Sequence, residues 1–334
     1  MSEATWQRLF GFWHAFDQPA TVWLVGAVLG VLVFASALVA GLAAAGRLSP
    51  KTRSELHERL LSWWVLAPLM IGPVLLGAAF VFAAVLLLSL LCYREFARAT
   101  GLFREHFTSA LVVLGILGTT FAAVDHWYDL FTAMLPLGVV AIAGLAVVAD
   151  EPRGYIQRTA LGVFAFAFFG AGFGHLAYFA NDAAFRPLIL LVLIAVELND
   201  VFAYVSGRLF GRRKLLPQTS PNKTWGGAIG ALVLTTTFVG LVGPFVLAGR
   251  PVGSGTHLML LGVLVGVAGQ LGDLVLSSIK RDVGIKDFAA TIPGHGGLLD
   301  RFDSLVLVAP AAFHLIGLGH GIGLGSAPRI LSGG

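Results

Sequence analysis

Apolar residues fall in ten blocks along the chain, at about 21–46, 61–78, 79–97, 107–124, 131–149, 158–180, 186–207, 226–248, 257–279 and 302–324, separated by short polar breaks. Most approach the ~20 helical residues needed to cross ~30 Å of hydrocarbon. Hydrocarbon offers a backbone no external hydrogen-bond partners, so each block is expected to be helical, and the short breaks make successive helices antiparallel neighbours. The predicted fold class is all-α: a polytopic integral membrane helical bundle of about nine to ten transmembrane helices with a polar, cytoplasm-facing cavity. Between Pro73 and Gly77 two short blocks abut, which reads either as two spans or as a kinked or re-entrant pair.

Composition supports the membrane reading. Of 334 residues, 57% are apolar and 12% charged, which excludes an ordinary soluble core. The first block is too long for a signal-peptide core and lies beside Glu3 and Asp17, so it reads as an uncleaved anchor. The lone Cys92 excludes intrachain disulfides and cysteine-metal sites.

Charge orients the bundle. With the N-terminus outside, one set of loops takes 18 of the 22 basic residues, and the other keeps only Arg8, Arg186, Arg250 and Arg329. By the positive-inside rule the first set is cytoplasmic. The net charge of +4 then reports topology and anionic lipid, not nucleic acid. Three regions are expected: 1–57, an N-terminal extension with an extra membrane anchor helix; 58–180, N-terminal membrane helices; and 181–334, a C-terminal catalytic membrane region carrying cytoplasmic loops 207–225 and 279–302.

Charges inside spans are costly and mark sites. In "VELNDVFAY", Glu197, Asp200 and Tyr204 share one helix face. In "GQLGDLVLSSIK", Asp273 lies about 10 Å along the helix from Lys280. Asp300 and Asp303 open the last block from the same basic side. Four carboxylates, Asp200, Asp273, Asp300 and Asp303, are thus expected in one shallow pocket, a donor set suited to a hard cation such as Mg2+. The competing reading is that each caps a helix or pairs with a loop arginine.

Four of the five lysines fall in the two loops. In "RRKLLPQTSPNKTWGG", Ser220, Asn222, Lys223 and Thr224 offer charge and neutral hydrogen bonds before a helix start that can face an anion. In "PGHGG", glycines admit close approach to a phosphate, and His295 can bind it. No nucleophile elbow, Ser/His/Asp set or zinc spacing competes. These residues point to metal-dependent phosphoryl or nucleotidyl transfer on a lipid, without naming the nucleotide.

The run Ser277-x-Ile279-Lys280-Arg281, then Lys286-Asp287, His295-Gly296-Gly297 and Asp300-Arg301-Phe302-Asp303 resembles the C-terminal signature of the phosphatidate cytidylyltransferases, or CDP-diacylglycerol synthases. "NDVFAYVSGRLFGRRKL" and "SPNKTWGG" are similar to that family too, so the resemblance covers about residues 195 to 305. It implies that CTP and phosphatidic acid, or a related lipid phosphate, give a CDP-lipid and pyrophosphate at the cytoplasmic side of a bacterial inner membrane. Asp273 and Asp300 match the family's metal-binding aspartates, with Asp303 a further candidate; a second cation and a homodimer are compatible with it. Lys280 and Arg281 join the two aspartates as catalytic candidates. Ser220, Asn222, Lys223, Thr224, Lys286, His295, Gly296, Gly297, Arg301 and Asp200 are candidates for substrate binding. The alternatives are transfer to another lipid phosphate, a transporter whose carboxylates line a pathway, and a binding-only paralogue.

Overall fold

The computed structural model describes residues 3–292, 296–318 and 329–333. A short helix α1 (Glu3–Phe10) leads to α2 (Pro19–Ala44), α3 (Pro50–Leu76), α4 (Ala78–Thr100), α5 (His106–Val124) and α6 (Tyr128–Leu145). The next crossing is composite: α7 (Tyr155–Ala165), a π-helical turn (Phe166–Gly172) and α8 (Phe173–Phe179). Then come α9 (Phe185–Phe210), a hairpin of β1 (Lys214–Leu216) and β2 (Ser220–Thr224), α10 (Trp225–Val246) and α11 (Gly255–Asp282). The short α12 (Leu299–Phe302) and α13 (Leu305–Gly317) close the described chain.

Among the described residues, nine crossings are long and apolar enough to span a membrane, so the protein is an integral membrane helical bundle. The tenth expected block, 302–324, is described only through the 13 residues of α13 and a few neighbours. Its remainder lies outside the described residues.

Local chemistry sets the breaks. Ser49 caps α3 by accepting the Thr52 N–H, and Pro50 occupies the first turn, where a missing N–H is harmless. Gly77 alone separates α3 from α4, with φ of 136°, so the abutting blocks are two separate helices. A side chain there would collide with the Leu9 carbonyl, because α1 packs over this corner.

Loops 207–225 and 279–302 share one end of the bundle, its basic end. α10 packs between α9 and α11, and α11 packs on α13. The first half of α9, from Phe185 to Leu193, is buried throughout, which makes it the central post of the bundle. At the α9–α10 seam the Thr235 hydroxyl donates to Asn199 Oδ1 over 3.1 Å, a buried polar pair that aligns the two helices. Loop 207–225 folds as an antiparallel hairpin, with Lys214 opposite Thr224 and Leu216 opposite Ser220. Contacts of α9 with α2 and α3 cross from the C-terminal half to the N-terminal helices.

Candidate active site

A cavity of about 740 Å³ opens at the basic end. α9 contributes Glu197, Asp200 and Tyr204, the face expected from the sequence, and the loop after α11 contributes Lys286, Asp287 and Gly296. Arg301 of α12 also lines it, as do Arg59 and Trp63 of α3. The buried Arg301 Nε has no hydrogen-bond partner among the described residues, which suits an anion entering the cavity.

Two lysine–carboxylate pairs stand beside it. Lys223 Nζ of β2 lies 2.5 Å from Asp273 Oδ2 of α11, and the Ser277 hydroxyl donates to Asp273 Oδ1 over 3.0 Å. Lys280 Nζ, two helical turns along α11 from Asp273, lies 2.7 Å from Asp300 Oδ1. Asp303 is buried and accepts the Ser304 N–H over 2.7 Å. Its carboxyl lies within electrostatic reach of Asp273 and Asp200, and of Lys280 and Lys223. Asp200, Asp273 and Asp303 therefore share one electrostatic field, and Asp300 is linked to it through Lys280.

Asp300 also shapes the glycine loop. Its Oδ2 accepts the Phe288 N–H and the Gly297 N–H, each over 2.9 Å. From the other side Glu95 of α4 grips the same loop: Oε1 accepts the Thr291 hydroxyl at 2.7 Å and the Leu298 N–H at 3.1 Å, and Oε2 accepts the Leu299 N–H at 2.8 Å. Gly297 fits between the two acids, since a Cβ there would sit 2.5 Å from Glu95 Oε2 and 3.1 Å from Asp300 Oδ2. His295 lies outside the described residues.

The other candidates spread around this centre. Arg281 donates from Nε to the Thr219 carbonyl over 3.3 Å and from Nη1 to the Ile285 carbonyl over 3.0 Å, tying the hairpin tip to the loop. Thr224 Oγ1 accepts the Gly227 N–H over 3.1 Å and so caps α10. Ser220 and Asn222 sit on β2, Asn222 exposed, and Lys286 is exposed at the cavity wall.

Three site residues escaped the sequence reading: Glu95, Arg59 and Trp63. The signal for Glu95 was an acid inside the last turns of a span, flanked by Arg94 and Arg98. Arg59 had been counted only as a topological charge.

A cytidylyltransferase family model matches residues 57–318. The chain belongs to the cytidylyltransferase family. This family member is 31% identical over 280 residues to the uncharacterized protein YnbB of Escherichia coli, covering 81% of this chain and 90% of that one. It is 43% identical over 148 residues to the phosphatidate cytidylyltransferase of Mycobacterium leprae, covering 44% of this chain and 46% of that one. With the Haemophilus influenzae phosphatidate cytidylyltransferase it shares 44% identity over 127 residues, 37% of this chain and 43% of that one. The chain spans about half the length of these named enzymes. The family match starts within α3, so α1, α2 and the hinge after them precede it.

For a divalent cation the chemistry of the donors fits, since hard carboxylate oxygens cluster where ammonium groups already balance them. Among the described residues no three acidic, histidine or cysteine side chains converge as a ready ligand set. Mg2+ characteristically takes one or two carboxylates and fills its shell with water and substrate phosphate, which is compatible with that arrangement.

Proposed function

We propose that the protein transfers CMP from CTP to phosphatidic acid, yielding CDP-diacylglycerol and pyrophosphate, on the cytoplasmic side of a bacterial inner membrane. The observation that carries this reading is the pair of lysine–carboxylate bridges, Lys223–Asp273 and Lys280–Asp300, beside a cavity where the bundle meets its basic loops. A lipid phosphate and a nucleotide triphosphate are both polyanions, and one comes from the membrane while the other comes from water.

In the reaction, a phosphate oxygen of the lipid forms a bond to the α-phosphorus of CTP. The α–β bridging oxygen leaves with pyrophosphate. A phosphate monoester is already anionic near neutral pH, so the burden on the protein is positioning and charge stabilisation. Lys223, Lys280, Lys286 and Arg301 are assigned to the phosphates, with Arg281 holding the hairpin against the loop. Asp273 and Asp300, the two carboxylates held by Lys223 and Lys280, would hold Mg2+, with Asp303 a further candidate. When bound, the cation offsets charge on the attacking and leaving oxygens. Arg59 and Trp63, which line the cavity from α3, are assigned to the glycerophosphate end of the acceptor.

The test is pyrophosphate release by the purified protein in micelles with CTP, Mg2+ and phosphatidic acid. Release that requires both substrates supports the assignment. Release only with another lipid phosphate, such as a polyprenyl phosphate, keeps the reaction class and replaces the acceptor; no release with any lipid phosphate overturns it.

A further inference from the structure

A second cavity, of about 420 Å³, lies between α2 and α3 near their basic-end termini. α2 and α3 are antiparallel, so the groove has a polarity. Arg53 and His57 mark its mouth, Ala43 and Leu60 belong to its apolar walls, and Ser36 and Trp64 lie at its floor. There a chain of hydrogen bonds joins the two helices: Trp64 Nε1 donates to Ser36 Oγ over 3.1 Å, and that hydroxyl donates to the Leu32 carbonyl over 2.8 Å. From Arg53 to Trp64 the helix rises about 16 Å. Neither Arg53 nor His57 has an acid partner among the described residues.

A guanidinium and an imidazole one turn apart, beside a largely apolar slot, match an amphiphile with an anionic head. We propose that this groove holds one anionic glycerophospholipid of the leaflet at the basic end, with its phosphodiester on Arg53 and His57 and an acyl chain along α2 and α3. A free phosphate leaves the apolar walls without hydrocarbon. A zwitterionic lipid brings a cationic headgroup toward two unpaired basic side chains.

The site is separate from the catalytic cavity but mechanically adjacent. At about 100° per residue, Arg59 and Trp63 project roughly a third of a turn away from the Arg53–His57–Trp64 face of α3. One helix therefore has the lipid on one side and the substrate cavity on the other. A lipid wedged against α2 braces the wall that Arg59 and Trp63 form. Most of the groove lies ahead of residue 57, outside the stretch matched by the family model.

The full-length protein in phosphatidylcholine nanodiscs, with and without a minor fraction of phosphatidylglycerol, tests the proposal by melting temperature and by native mass spectrometry. Phosphatidylglycerol should raise the melting temperature and remain bound as one lipid per chain. In Arg53→Gln/His57→Gln retention should fall about tenfold or more, the scale of losing charge-assisted hydrogen bonds. Ala43→Leu, which fills the slot and keeps both basic groups, should displace the lipid as well and covers the case in which the double variant fails to fold. Equal retention of phosphatidylglycerol in both variants overturns the site. Retention of phosphatidylcholine equal to that of phosphatidylglycerol, or equal protection by inorganic phosphate, also overturns it.

Discussion

Lys280 Nζ lies 2.7 Å from Asp300 Oδ1, with the two side chains only 9% and 5% exposed. The same carboxylate accepts backbone N–H groups from both limbs of the glycine loop, so one residue sets charge and loop shape together. Asp300→Asn should abolish CMP transfer in a protein that still folds, and should raise hydrogen exchange at Phe288 and Gly297. Lys280→Ala leaves a buried carboxylate without its counter-charge and should lower stability by about 3–5 kcal/mol. Full CMP transfer by Asp300→Asn would remove it from the catalytic group.

Asp273→Asn separates the two functions. Asp273 contacts Lys223 and Ser277 and makes no hydrogen bond to the described residues of the glycine loop. The expected variant is inactive with unaltered exchange protection from 287 to 299. Loop loosening equal to that of Asp300→Asn would show that Asp273 acts through structure.

Glu95→Gln tests the grip from α4. The amide has one acceptor oxygen where the carboxylate has two, so at least one of the Thr291, Leu298 and Leu299 donors loses its partner, at about 1–3 kcal/mol. A loop shift of about 1 Å can lower turnover by about 10²-fold, and that is the expected scale for Glu95→Gln and for Gly297→Ala. CMP transfer rates at saturating CTP check both; wild-type rates would mean the loop shape is not limiting.

At the end opposite the basic loops, Asp125 ties down the C-terminal segment. It accepts the Leu331 N–H at 2.6 Å and the Ser332 N–H at 2.9 Å, while Arg329 lies 3.9 Å over the Trp127 ring. Burial alone would raise the Asp125 carboxyl, but the Ser332 and Leu331 hydrogen bonds and the Arg329 charge outweigh it and hold it below the ordinary carboxylate value. A depressed carboxyl stabilises docking above its unfolded value, near 4, and that contribution is lost as pH falls through the folded one. Exchange protection at Leu331 should therefore persist at neutral pH and fade on strong acidification. In Asp125→Asn protection should be low at both; equal protection in the variant would deny the carboxylate its role.

Hydropathy located the crossings because the bilayer imposes them, yet it misplaced the start of α3. The apolar block begins near 61, whereas the helix begins at Pro50, capped by Ser49. Those first turns are charged, and hydropathy measures contact with hydrocarbon, not helicity. The hairpin at 214–224 was read as a loop because it lacks an alternating apolar face and is held by backbone pairing. Asp273 and Lys280 were legible because charge inside a span is conspicuous. Glu95 was hidden among arginines that served the topology count, and its partners lie some 200 residues later, a proximity that spacing within one helix does not reveal.

That separation bears on biogenesis. α4 enters the membrane well before the ribosome has made Leu299, 204 positions downstream. Until then Glu95 lacks the Thr291, Leu298 and Leu299 donors that it accepts from in the finished bundle. The finished loop is thus what completes α4: a chain cut short ahead of residue 291 leaves its acid without any of these three donors.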